Sequence, residues 1–121
     1  MTEIRLEPAI PVLRIYDIAK AKAFYLDFLG FTLDWEFQFD DNAPLYMQVS
    51  RSGLKLHLSE HYGDGTPGSV VYIRGEGIAA LAKEMNAKNA RFAKPSPTDT
   101  APKITDPFGN VLRFDDVSNH S

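Results

Sequence analysis

No cysteine occurs in the 121 residues, which excludes disulfides and thiolate metal sites outright. No apolar run approaches the ~20 residues that cross a bilayer, and the opening stretch MTEIRLEPAIPVL holds no run of signal-peptide length. A cytoplasmic protein without membrane contact is the expectation. A basic face is missing as well. Lys and Arg are scattered and the formal net charge is −3, which argues against nucleic acid as a partner and is mildly compatible with a cationic ligand. Also absent are a G-x-S-x-G elbow, a GxxxxGK[ST] phosphate loop and a G-x-G-x-x-G opening a helix, so serine-hydrolase, P-loop and dinucleotide chemistries lack their supporting motifs.

What is present reads as one ordinary globular domain, 44% apolar and 24% charged. PAIPVLRIYD, with Pro8 and Pro11, fits an edge or irregular first strand. Asp17 is placed to cap a helix whose Ile18, Ala21, Tyr25 and Phe28 recur at helical spacing and which stops at Gly30. FTLDWEFQF then alternates from Phe31 to Phe39, and PLYMQVS and GLKLHLS alternate as a hairpin about Arg51-Ser52. EHYGDGTPGS reads as a loop, VVYIRG as a strand, and Gly77 opens a second helix through Ala90 with Ile78, Leu81, Ala82 and Met85 on one face. KPSPTDTAP is irregular, and KITD and NVLRFDD form two last strands around DPFG. Shifting the first helix by 60 places Ile18 on Ile78, Ala21 on Leu81 and Tyr25 on Met85, the mark of a half-length β-α-β-β-β repeat. The repeats span about 8–60 and 69–115, with 60–68 as linker.

LHLSEH holds His57-x-x-Glu60-His61, the letters of a zinc-peptidase motif. That motif needs a helix, where positions i and i+4 lie about 6 Å apart. On a strand the two histidines stand roughly 13 Å apart, whereas two ligands of one zinc ion are separated by only about 4 Å. The peptidase reading therefore fails, and Glu60 and His61 are expected as a solvated pair opening the loop. Within the hairpin, pairing about Arg51-Ser52 sets Tyr46 opposite His57 and Gln48 opposite Lys55. Met47, Val49, Leu54, Leu56 and Leu58 then share the core face, while Tyr46, Gln48, His57 and Ser59 share the other. For His57 two readings stand open: a ligand contact, or an imidazole hydrogen-bonded to Tyr46. The stripe from Phe31 to Phe39 is expected to be core, with a rim position for Trp35 as the alternative.

FYLDFLGF (Phe24 to Phe31) after an apolar first strand, and TDPFGNVLRF (Thr105 to Phe114) near the end, resemble the vicinal oxygen chelate superfamily. This group includes glyoxalase I, extradiol dioxygenases, fosfomycin-resistance enzymes and bleomycin resistance proteins. The resemblance implies an α+β fold of two β-α-β-β-β modules whose curled mixed sheets surround a cavity, and a homodimer. It also implies four metal-ligand positions, which fall here on Ile10, His57, Ser69 and Arg113. Only the histidine is a ligand type, and a guanidinium repels a dication. No metal and no other cofactor is therefore expected.

The resemblance is nearest to the bleomycin resistance proteins, which sequester a bulky cationic antibiotic in crevices of a dimer. On that reading Trp35, Phe37, Tyr46 and Tyr72 stack on ligand rings, Gln48, His57 and Ser59 line the cavity, and no residue is catalytic. Arg113 either meets an anionic group or pairs with Glu36 or Asp115. A metal-dependent lyase, isomerase or dioxygenase and an orphan metabolite-binding module are the alternatives.

Overall fold

The computed structural model describes residues 3–88 and 91–119. The chain opens with β1 (Val12–Arg14) and α1 (Ile18–Lys22), which runs on without a break as a π-helix (Ala23–Phe28). Strands β2 (Thr32–Phe37), β3 (Tyr46–Arg51) and β4 (Leu54–Ser59) follow, and then β5 (Val70–Gly75) and α2 (Ile78–Ala87). β6 (Lys103–Thr105) and β7 (Val111–Asp116) complete the regular structure. The second helix, expected through Ala90, ends at Ala87, with Lys88 already extended at φ −78° and ψ 139°; Asn89 and Ala90 lie outside the described residues. The first sheet has the order β1-β4-β3-β2, with β1 parallel to β4, and the second has the order β5-β7-β6. This is the mixed α+β arrangement that the motifs implied. Pro8 and Pro11 precede an edge strand, where a missing N–H costs no ladder bond.

Asp17 caps α1 as its sequence position suggests, its side chain accepting from Lys20 N at 2.9 Å. Gly77 supplies no such cap to α2. Asp116, from the end of β7, does so instead, accepting from Ile78 N at 3.2 Å. Donors from Ser118 hold its carboxyl below the usual range, with the backbone of Ile78 and Gly77 adding to the effect.

The β3–β4 turn is Ser52-Gly53, with φ of 53° and 84°, and Arg51 pairs with Leu54. Positive φ at both central residues is the geometry of a type I′ turn, which Gly53 accepts freely. The expected turn at Arg51-Ser52 is thus one residue early, and the pairing shifts by two: Tyr46 faces Ser59, and Gln48 faces His57. A shift of two leaves every side chain on its face. Met47, Val49, Leu56 and Leu58 are buried in the core, and Leu54 is half-buried against it.

The nine-residue alternation of β2 is where the pattern misleads. Leu33 pairs with Val49, yet Trp35 pairs with Gln48, so Asp34 is an extra residue in a bulge. Phe31 and Leu33 pack in the core. Beyond the bulge the parity reverses, and Trp35, Phe37 and Phe39 are 43%, 53% and 81% exposed. The stripe is therefore core only up to Leu33.

One apolar cluster joins both halves of the chain: Phe24 and Phe28 of the first helix meet Phe92, and Leu58 shares the core with Ile73, Leu112 and Phe114. Through this core the two motifs touch. Tyr25 Oη donates to Asp106 Oδ2 at 2.6 Å in a buried contact, and burial, reinforced by Asp106, pushes the phenol far above its usual range. The same carboxylate accepts from the backbone N–H groups of Phe108 and Asn110 and from Asn110 Nδ2. Asn110 Nδ2 also donates to Arg14 O at 2.9 Å on β1. The DPFGN turn is thus a clasp between the start of the chain and its end.

Candidate functional site

The face of the first sheet turned away from the core carries a continuous aromatic strip. Because the bulge turns Trp35 outward, its ring stacks on Tyr46 with centroids 6.0 Å apart and planes 11° apart. His57 meets both edge-on, at 5.3 Å from Trp35 and 5.1 Å from Tyr46. His61 touches Tyr46 at 6.3 Å, and farther along β2 Phe37 packs edge-on against Phe39.

His57 is fully engaged. Its Nδ1 lies 2.6 Å from Tyr46 Oη and its Nε2 lies 3.0 Å from Gln48 Oε1. With the Gln48 oxygen accepting from Nε2–H, Nδ1 is the acceptor for the tyrosine hydroxyl. Partial burial lowers the imidazole pKa, so the ring is held neutral. Burial, with the nearby Asp64 charge, raises the phenol of Tyr46. The two hydrogen bonds fix the neutral imidazole in one orientation beside a phenol that keeps its proton, so His57 stands as part of the aromatic wall.

Polar groups frame the strip. Asp34 accepts from Gln48 Nε2 and Ser50 Oγ, each at 3.0 Å, and these bonds lower its pKa. Ser59, expected to line the cavity, is fully buried: its Oγ donates to Asp64 at 2.9 Å and accepts from His61 N. Glu60 is tied down as well, its carboxylate accepting from Leu45 N at 3.0 Å. The expected solvated Glu60–His61 pair is replaced by a loop strapped across the end of the sheet.

Tyr72 and Arg113 lie elsewhere. They are register partners on the outward face of the second sheet, with Arg113 also opposite Lys103. Tyr72 donates to Asp115, which raises its phenol pKa. Glu36 is paired with Lys22 at 3.1 Å rather than with Arg113. The structure thus gathers Trp35, Tyr46, Gln48 and His57 into one patch, with Phe37 beside it, Ser59 beneath a loop and Tyr72 and Arg113 on the other sheet. Sequence reasoning missed Asp34 as the pivot of the strip, since a bulge leaves no mark in an alternating string.

A model described as glyoxalase superfamily protein matches residues 1–121. The chain belongs to the glyoxalase superfamily. No curated protein matches its sequence. Among solved structures of the fold is the bleomycin-binding protein of bleomycin-producing Streptomyces verticillus with copper(II)-bleomycin. It has a TM-score of 0.66 and 26% identity over 94% of this chain and 98% of that one. A bleomycin resistance determinant encoded on transposon Tn5 has a TM-score of 0.63 and 20% identity over 90% and 96%. Glyoxalase I of Leishmania major, a trypanothione-dependent enzyme, has a TM-score of 0.64 and 15% identity over 89% and 84%.

The superfamily includes metalloenzymes, and the four ligand positions that the resemblance implied do not fit a metal here. Ile10 offers only hydrocarbon, both nitrogens of His57 are hydrogen-bonded, Ser69 Oγ donates to Thr66 O at 2.6 Å, and Arg113 is a fixed cation. Among the described residues no three acidic or histidine side chains come together to hold a metal ion. No described helix is long and apolar enough to cross a membrane.

Proposed function

We propose that this chain is a non-enzymatic binding protein that sequesters a bulky ligand with flat ring systems, of the bleomycin type, in crevices of a homodimer. The observation that carries the reading is the Trp35–Tyr46–His57 strip, in which bonds to Tyr46 and Gln48 hold the imidazole in place as a wall. Rings of the ligand stack on this strip, and the Asp34 and Asp64 carboxylates beside it attract positive groups. Protection follows from mass action, since a bound molecule does not reach its target.

In this reading the repeats at 8–60 and 69–115, joined by 60–68, offer their outward sheet faces to a second copy. The aromatic face with Asp34 suits the face that carries Lys103 and Arg113. Titration calorimetry of the purified chain with bleomycin, alongside light scattering for mass, tests the proposal. Stoichiometric binding to a dimer is the expected outcome, and Trp35→Ala should weaken it at least about tenfold. No heat of binding from a folded dimer removes the antibiotic, and a monomeric mass removes the shared crevice.

A further inference from the structure

Along the free edge of the same sheet, across β4 from Tyr46, lies a second arrangement. Arg14 of β1 is the register partner of Ser59. Its guanidinium carbon lies 5.0 Å from the centroid of the Tyr16 ring and 5.8 Å from that of Tyr62. The rings are 55% and 96% exposed, so both faces of the arrangement are open to a ligand. They border a cavity of about 380 Å³.

The guanidinium is fixed in place. Nη1 donates to His61 O at 2.9 Å, Ile15 N donates to Ser59 O, and Asn110 Nδ2 holds Arg14 O. Gly65 presses so close beneath that a Cβ there would meet Val12 O at 2.7 Å. Yet no described carboxylate forms an ion pair with it: the ion pairs among the described residues join Arg5 to Glu7, Lys22 to Glu36 and Arg51 to Glu84. The neighbouring Asp64 carboxylate is directed to Ser59. Nη2 has no hydrogen-bond partner among the described residues. A preorganised guanidinium with an open edge is suited to a planar oxyanion, and two aromatic rings beside it suit a flat body attached to it.

We propose that Arg14, Tyr16 and Tyr62 form a subsite for an oxyanion carried on an aromatic ring. The subsite goes beyond the sequestration reading and holds whether or not bleomycin binds. The full chain is titrated with 2-naphthoate and with neutral 2-naphthamide, following the Arg14 side-chain N–H and the tyrosine ring signals by NMR. Naphthoate is expected to shift Arg14, Tyr16 and Tyr62 saturably and to bind about tenfold more tightly than the amide. Arg14→Gln should level the two ligands in a chain whose amide spectrum stays folded, and Tyr62→Ala should weaken both; Tyr62 is too exposed for its loss to unfold the chain. Equal binding of acid and amide, or shifts that track ionic strength without saturating, would overturn the subsite.

Discussion

At the scale of single residues, His57 sets what the outward face is able to do. Its facing follows from the period of two, which survives any register shift of two residues. Its partner does not: Gln48 lies opposite, and Tyr46 reaches Nδ1 from a diagonal position. That detail turns on where the hairpin turns, a choice between neighbouring residues that the letters leave open. The imidazole also has a measurable signature. Burial lowers its pKa below the ordinary value of 6.5, so the unfolded chain takes up the proton before the folded chain does. Stability from the neutral ring is complete above that value and is lost as pH falls through the depressed pKa. The urea midpoint is expected to drop between pH 7.5 and pH 5.5, and His57→Gln should flatten that window. A variant with the same slope as the parent would assign the titration to other groups.

At the scale of elements, helix starts and strand faces were legible because a cap residue and a two-residue period act locally. Asp17 and the β3–β4 faces show it. The bulge of β2 was hidden, because Asp34 continues the alternation of polar and apolar letters while the backbone gives it no partner. Its carboxylate stabilises the bulge by accepting from Gln48 and Ser50, which depresses its pKa below 3.8. That stabilisation is present above the unfolded value and disappears as pH falls through the folded one. Asp34→Asn should therefore lower stability at neutral pH and remove part of the acid limb of the stability curve, and an unchanged limb would mean that the two bonds do not act on stability. The adjoining hairpin gives the opposite sign. Ser52 carries φ of 53° in a position that asparagine tolerates better. Ser52→Asn is expected to stabilise the chain by about 0.5 kcal/mol, seen as a raised melting temperature.

At the scale of the molecule, the two motifs that carried the family resemblance meet each other rather than a ligand. Tyr25 comes from the first helix and Asp106 from the turn before β7, and their bond runs through the shared core. Sequence similarity marked these positions, and burial explains them: Asp106 gathers four donors and, through Asn110, fixes the strand that carries Arg14. The outward face thus depends on a clasp on the core side of the sheet. Tyr25→Phe keeps the ring in its pocket and removes only the hydroxyl. The loss is expected to cost about 1.5–3 kcal/mol, the range for a buried hydrogen bond to a charged group. Because the clasp joins the beginning of the chain to its end, the deficit should be global. Amide exchange in β1 and in β7 should quicken by the same factor, matching the fall in the urea midpoint. Faster exchange in β7 alone would show the two halves opening separately, and would reduce the clasp to a local turn.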